Sequence, residues 1–234
     1  KSRSVMAEFE NKKFDYVIVG GGSAGCVVAS RLSERSKNNV LLREAGEDFP
    51  PGTEPMEIRD TFAGTAHSNP RFTWLGQTVA WGPRPSNAPD TRKRVRYAQG
   101  RVIGGGSSVN GMISIRGVPT DYDGWVERGA RGWGWEDVLP FFLKSENNEL
   151  GKSEFHNDKG PITVANKKIN LKLLDEFQNA AEEFGIPKTK DFNTGDNFGV
   201  GFFQFTTNFN KVGLKLRCSA AKGYLNPVKK RSNL

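Results

Sequence analysis

Asp15-Tyr-Val-Ile-Val-Gly-Gly-Gly-Ser-Ala-Gly25 decides the reading of this chain, because its glycines separate two different periodicities. Tyr16 to Val19 form a short apolar, β-rich run leading straight into Gly20-x-Gly22-x-x-Gly25. A helical pattern follows, predicted over Ser23–Arg35, with Val27, Val28, Ala29 and Leu32 on it. A second apolar run, Val40-Leu41-Leu42, ends at Glu44, near the ~20-residue offset of the acidic residue in a dinucleotide-binding βαβ unit. A glycine-rich hairpin turn with an incidental glutamate would supply one or two of these features. Five in the right order point to a cofactor containing ADP.

The residue types suit that chemistry. Gly20 fits the tight turn, Gly22 the approach of backbone to a pyrophosphate, and Gly25 close packing of helix on sheet. The N–H groups at Ser23 and Ala24, with the helix dipole behind them, would face phosphate. Glu44 would accept the ribose hydroxyls, and its charge opposes a 2′-phosphate, which disfavours NADP. NAD and FAD both remain open on this unit alone.

Composition narrows the class. A chain of 234 residues holds one large or two small domains, and sixteen Phe with five Trp mark a globular protein. No apolar run approaches the ~20 residues of a membrane span, and Lys1 to Glu8 lack the apolar core of a secretory signal. Cys26 and Cys218 form no CxxC and no metal-ligand spacing, so a reducing, cytoplasmic setting is expected. Cys26, at the helix start, reads as a small packing residue. The net charge of +8 gathers in Arg92-Lys93-Arg94-Val95-Arg96 and Lys229-Lys230-Arg231. Without interleaved aromatics these read as solvated loop charge, and no nucleic-acid partner is expected.

From Ala45 to Gln99 the chain is rich in Pro, Gly and polar residues and reads as an irregular cover, with Trp74, Leu75 and Trp81 expected to be partly buried. Gly100-Arg-Val-Ile-Gly-Gly-Gly-Ser-Ser-Val-Asn-Gly-Met112 is then a second loop offering unblocked N–H groups and small donors. Alone it could be a linker or a tight crossover. Beside the first motif it reads as a second contact with the same ligand. Helices are predicted over 121–128, from Trp135 with Val138, Phe141 and Phe142 inward, through Leu174, Phe177, Ala181 and Phe184 up to Gly185, and over 219–225. Strands are predicted at 161–164 and 200–206, and the aromatics are read as core.

These motifs together resemble the glucose–methanol–choline oxidoreductase family of FAD-dependent alcohol oxidases and dehydrogenases. The resemblance runs through Asp15–Gly25, Arg31-Leu-Ser33, Glu44-Ala-Gly46, Gly100–Asn110, Arg116-Gly-x-x-x-Asp-Tyr-Asp123-x-Trp125, Gly132-Trp133-x-Trp135-x-x-Val-Leu-Pro140 and Ser219-Ala-Ala-x-x-Tyr-Leu225. It implies an α/β fold: a Rossmann-like FAD-binding domain with the start of an α+β substrate domain. The boundaries expected are 14–150 for the first domain (βαβ unit 14–48, cover 49–99, second loop 100–116), 151–210 for the substrate domain, and 211–234 for a return to the first.

The resemblance also assigns roles. Gly20, Gly22, Ser23, Ala24 and Gly25 would meet the FAD pyrophosphate, and Glu44 with Ala45 the adenosine. Arg101, Gly104, Gly105 and Ser107 would pass beside the ribityl chain and isoalloxazine, with Asn110, Gly111 and Met112 near the flavin's reactive edge. Val109 stands where some relatives carry a histidine bonded to FAD, so non-covalent binding is expected. Arg43, usually apolar in the family, and Ser114, often aromatic, depart from the pattern. The spacing around Glu57-Ile-Arg-Asp60, Phe72-x-Trp74, Gln99-Gly-Arg and Gly105-Gly-Ser-Ser-Val-Asn110 is most similar to hydroxymethylfurfural-oxidase-type and aryl-alcohol-oxidising members, which implies an alcohol substrate, aromatic or furanic.

The family mechanism passes a hydride from the alcohol carbon to flavin N5 while a histidine base takes the hydroxyl proton. That base lies near the C-terminus of much longer chains, so no catalytic residue is expected here, and His67 and His156 read as surface or structural. The remaining C-terminal part, or a second chain, is the expected partner, and this chain alone is expected to be inactive. Two other readings stand beside this one: an NAD-dependent dehydrogenase on the same βαβ unit, and a non-catalytic fragment or binding module.

Overall fold

The computed structural model describes residues 12–62, 64–79, 94–166, 171–209 and 215–234. The chain divides into two compact units, one of residues 1–110 with 219–234, the other of residues 111–218. The sequence-based boundaries lie at 150 and 210. The helices between 111 and 150 group with the second unit because their aromatic rings and charged side chains bond within it, as described below.

In the first unit, β1 (Tyr16–Val19) and β2 (Val40–Arg43) pair in parallel with Tyr16 against Val40 and Val19 against Arg43, and α1 (Ser23–Leu32) joins them. The pair is pinned at both ends. Asn39 N–H donates to the Asp15 carboxylate at 2.7 Å, and Gly20 N–H donates to Arg43 O at 2.7 Å. The helix stops three residues earlier than its pattern predicts. Ser33 Oγ donates to Ser30 O and Asn38 Nδ2 to Leu32 O, and such side-chain bonds compete with continued helix.

The core of this unit joins distant stretches. Cys26 and Ala29 pack with Ile103, Ala220, Ala221, Leu225 and Val228, and Ile18 and Leu42 border them. The segment 219–234 therefore belongs to the βαβ unit. Arg31 lies over the Tyr224 ring at 5.3 Å, which joins two motifs almost two hundred residues apart. Asn233 O accepts from Val40 N–H at 2.9 Å, and Arg231 Nη1 donates to Ser30 O and Ser33 Oγ at 2.7 and 2.8 Å. The basic run 229–231 is thus not merely solvated: Arg231 takes an orphan carbonyl at the C-terminal end of α1, and Lys229 pairs with Asp48. Of the other basic run, Arg92 and Lys93 lie outside the described residues, and Val95 and Arg96 are strand rather than loop.

The cover is more regular than its sequence suggests. It holds α2 (Met56–Arg59), α3 (Gly64–His67) and an antiparallel hairpin of β3 (Thr73–Val79) and β4 (Val95–Gly100). Phe72 anchors it, fully buried among Ile58, Ala66, Val102 and Val109. The expected burial of Trp74 and Leu75 is not observed. Both are exposed, Trp74 at 42%, because among the described residues β3 pairs with β4 alone. Trp81 lies outside the described residues.

The second unit is α+β. In chain order it holds β5 (Ile113–Ser114), α4 (Pro119–Glu127), α5 (Trp135–Ser145), β6 (Glu146–Asn148), β7 (Ile162–Asn166), α6 (Lys172–Glu183), β8 (Gln204–Phe205), β9 (Thr207–Phe209) and β10 (Lys215–Arg217). Four strands form a mixed sheet in the order β5-β8-β7-β6, with β6 and β7 parallel, while β9 and β10 pair apart from it. Carboxylates start the two helices before the sheet: Asp121 accepts Val118 N–H at 2.9 Å, and Asp137 accepts Gly134 N–H at 3.1 Å. Tyr122 then packs α4 on α5 through the rings of Trp135 and Phe142, at 5.7 and 5.8 Å. Two inward assignments fail. Phe141 on α5 is 70% exposed, and α6 buries none of its residues, with Phe177 and Phe184 open. The period of a helix sets an apolar face without setting what covers it.

Candidate cofactor-binding site

The two glycine-rich loops of the first unit meet. Gly104 N–H donates to Gly21 O at 2.6 Å, and Gly105 lies so close that a Cβ on it would stand 2.7 Å from Gly22 Cα. Gly105 also has φ +52°, the left-handed region that favours glycine. Under the first loop, a Cβ at Gly25 would lie 1.9 Å from Gly20 O, so only glycine lets α1 approach β1 this closely. Glu44 ties the end of β2 into the same arrangement. Its Oε2 accepts Gly21 N–H at 2.7 Å and its Oε1 accepts Gly46 N–H at 2.8 Å. Ile103 N–H, donating to Glu47 O at 2.9 Å, closes the assembly from the second loop.

Between these pieces lies a cleft of about 610 Å³. Six of the residues assigned from sequence line it: Gly20, Gly22, Ser23, Glu44, Ala45 and Gly105. The others stand elsewhere. Ala24 is exposed at the helix start, Gly25 packs the helix on the strand, and Gly104 is buried. Ser107 Oγ donates to Gly104 O at 2.6 Å and accepts Ala220 N–H at 2.9 Å, so it ties the loop to the 219–225 segment. Ser108 turns inward likewise, onto Ile103 O at 2.8 Å. Arg101 lies over the Trp74 ring. Asn110 ends the first unit, while Gly111 and Met112 begin the second, where Met112 is buried with a left-handed φ of 63°. The cleft also includes Gly100 and Gly106 of the second loop, and Val19, Arg43, Trp74 and Gln99, which sequence reasoning left out. Only Arg43 carried a signal, as a cation where the pattern is apolar.

The donor set fits an adenine nucleotide. Helix α1 begins at Gly22 with no side-chain cap and no acidic residue in its first turn, so its first N–H groups and the positive end of its dipole are left for a ligand. Nothing lies within 4 Å of a Cβ position at Gly22 or Gly106, which leaves the backbone open to an approaching phosphate. Each Glu44 oxygen holds one backbone N–H and keeps acceptor capacity for a ribose hydroxyl. Cys26 takes no part in chemistry here. It is fully buried, its Sγ–H donates to Gly21 O at 3.2 Å, and burial pushes the thiol up to about 11.

The model of the GMC oxidoreductase family matches residues 14–234. This chain belongs to the GMC oxidoreductase family. It is 42% identical over 230 residues to the 5-(hydroxymethyl)furfural oxidase of Methylovorus sp. (strain MP688), covering 94% of this chain and 41% of that protein. It is 36% identical over 226 residues to the mitochondrial choline dehydrogenase of Homo sapiens, covering 95% and 36%. Among solved structures it is similar to pyridoxine 4-oxidase from Mesorbium loti, with a TM-score of 0.79 and 32% identity over 95% of this chain and 41% of the other. A fungal aryl-alcohol oxidase gives a TM-score of 0.69 at 27% identity, over 94% and 38%. The chain thus spans about two fifths of the length of the relatives it matches.

In this GMC oxidoreductase chain neither histidine lies in the cleft. His156 is buried in the second unit between two carboxylates. Its Nδ1 is 2.9 Å from Glu146 Oε2 and its Nε2 is 2.7 Å from Asp191 Oδ2. Two ionised acceptors require both ring nitrogens to donate, so the ring is an imidazolium. Asp191 first, then Glu146, raise it to about 9 against the opposing effect of burial. Burial alone would raise Glu146, but His156 and Arg116 outweigh it and hold the carboxyl below its ordinary range. Asp191 is lowered in the same way by His156 and the Asn193 N–H. Arg116 Nη2 reaches Glu146 Oε2 at 2.8 Å and its Nη1 donates to Phe155 O at 2.6 Å, so the family's Arg-Gly motif serves the fold of this unit. The structural reading of His156 holds, and the surface reading does not.

Proposed function

We propose that this chain is the cofactor-binding portion of an FAD-dependent oxidoreductase acting on CH–OH groups, an alcohol oxidase or dehydrogenase. The observation that carries this is the abutment of two glycine-rich loops beside an uncapped helix start, with Glu44 fixed to the first of them. A nicotinamide enzyme needs the first loop but has no use for the second, which favours FAD over NAD. The β1–α1–β2 unit would be the opening of a Rossmann-like domain. Gly20, Gly22 and Ser23 would face the diphosphate, Glu44 and Ala45 the ribose, and Gly105 with Gly106 the flavin side.

Bound FAD would accept hydride at its N5. The chain's own residues bind and orient it. Val109, buried in the core beside Phe72, carries no group able to bond to a flavin, which supports a non-covalent attachment. His156 is held by two carboxylates, so the proton acceptor for the alcohol comes from the remaining C-terminal part of the enzyme or from a second chain. The substrate would be an aromatic or furanic alcohol, as the names of the furfural and aryl-alcohol oxidases suggest.

The purified chain incubated with FAD and desalted should keep a flavin absorption spectrum, and acid denaturation should release all of the flavin. Added alcohol should leave the spectrum oxidised. Retention of NAD without flavin, or of no nucleotide at all, would overturn the proposal.

A further inference from the structure

We infer that the Trp74 indole, backed by the Arg101 guanidinium, is the stacking platform for the adenine ring of the cofactor. The inference rests on the adenine-dinucleotide reading of the cleft and names a contact within it. Trp74, the second residue of β3, pairs with Gln99 of β4 and lines the cleft together with Glu44 and Ala45. Its neighbours Phe72 and Thr73 are buried, so the ring is anchored at its base while 42% of the residue stays exposed.

Arg101 occupies one side of the indole, with its guanidinium carbon 4.8 Å from the ring centroid. Among the described residues the guanidinium is not committed to a carboxylate. Glu47 is taken by Arg71 at 2.6 Å, Arg101 Nη2 donates to Pro70 O at 3.3 Å, and Arg101 Nε is buried without an acceptor among those residues. What holds this guanidinium is therefore largely the ring face. A planar cation fixed there restricts the indole and leaves its opposite face for a ligand. Diphosphate at the α1 start and ribose at Glu44 bring a base into the same cleft, and every base has a π-face that an aromatic side chain can hold. Arg101 acts as a positioning residue, through Trp74.

The test compares ADP, which carries the base, with inorganic pyrophosphate, which does not, by calorimetry on the full chain. Trp74→Ala should weaken ADP about tenfold to a hundredfold, the range for loss of one base–aromatic stack, and leave pyrophosphate unchanged. Trp74→Phe, which keeps a ring, should hold ADP within about threefold. ADP should quench indole emission in the native chain, and that quench should vanish in Trp74→Phe. Arg101→Met should weaken ADP severalfold without touching pyrophosphate. Native affinity for ADP in Trp74→Ala, or an equal loss of ADP and pyrophosphate, would overturn the inference while leaving the dinucleotide reading in place. A native chain that binds neither FAD nor ADP would overturn both.

Discussion

Glu146→Ala is expected to destabilise the second unit by about 3–5 kcal/mol, the usual consequence of removing one partner from a buried charge cluster. The carboxylate is almost fully buried and holds Arg116 at 2.8 Å, His156 at 2.9 Å and the Asn148 amide at 3.0 Å. Without it, two cations face each other in the interior with only Asp191 to offset them. The same cluster fixes a pH dependence. Glu146 and Asp191 are lowered, so their contribution is present above their unfolded values of 4.5 and 3.8 and is lost as pH falls through the folded ones. His156 is raised, so its contribution is complete below 6.5 and is lost as pH rises through about 9. Urea unfolding followed across pH should show a plateau between about 4.5 and 6.5 and a decline toward 9, and His156→Gln should flatten that alkaline decline. A chain equally stable at pH 6 and pH 9.5 would contradict this account of the cluster.

Gly105→Ala should reduce ADP affinity by roughly a hundredfold or more while leaving the second unit folded. At φ +52° a side chain carries about 1–2 kcal/mol of strain. The new Cβ would also stand 2.7 Å from Gly22 Cα, a backbone atom that cannot rotate away. Relief comes only by parting the two loops, which opens the wall of the cleft. Gly106→Ala is the control, because its Cβ meets nothing within 4 Å and should leave the stability of the fold unchanged. Calorimetric titration with ADP and thermal unfolding of both variants separate ligand loss from fold loss.

The parts of this molecule legible in its sequence are those built from neighbours in the chain. The βαβ unit was readable because strand, glycines, helix and terminal Glu44 lie in order over thirty residues, and the second loop because consecutive glycines serve few other purposes. Contacts that depend on register or on several segments were not readable. Trp74 reaches the cleft only because it pairs with Gln99 across a hairpin. The imidazolium of His156 is made by Glu146 and Asp191, ten and thirty-five residues away, in no recognisable spacing. Lys229 and Arg231 look like loop charge until α1 and Asp48 are placed beside them. Ser107 and Ser108 were read as donors to a ligand, yet both hydroxyls bond to nearby backbone, because a tight loop needs such bonds to hold its shape.

The most direct measurement is a titration of the nitrogen-15-labelled chain with ADP, followed by amide chemical shifts. The account predicts shifts concentrated at Gly20 to Gly25, Glu44 to Gly46 and Gly104 to Gly106, with residues around His156 unmoved. Shifts confined to other surfaces, or an unchanged spectrum at millimolar ADP, would contradict it.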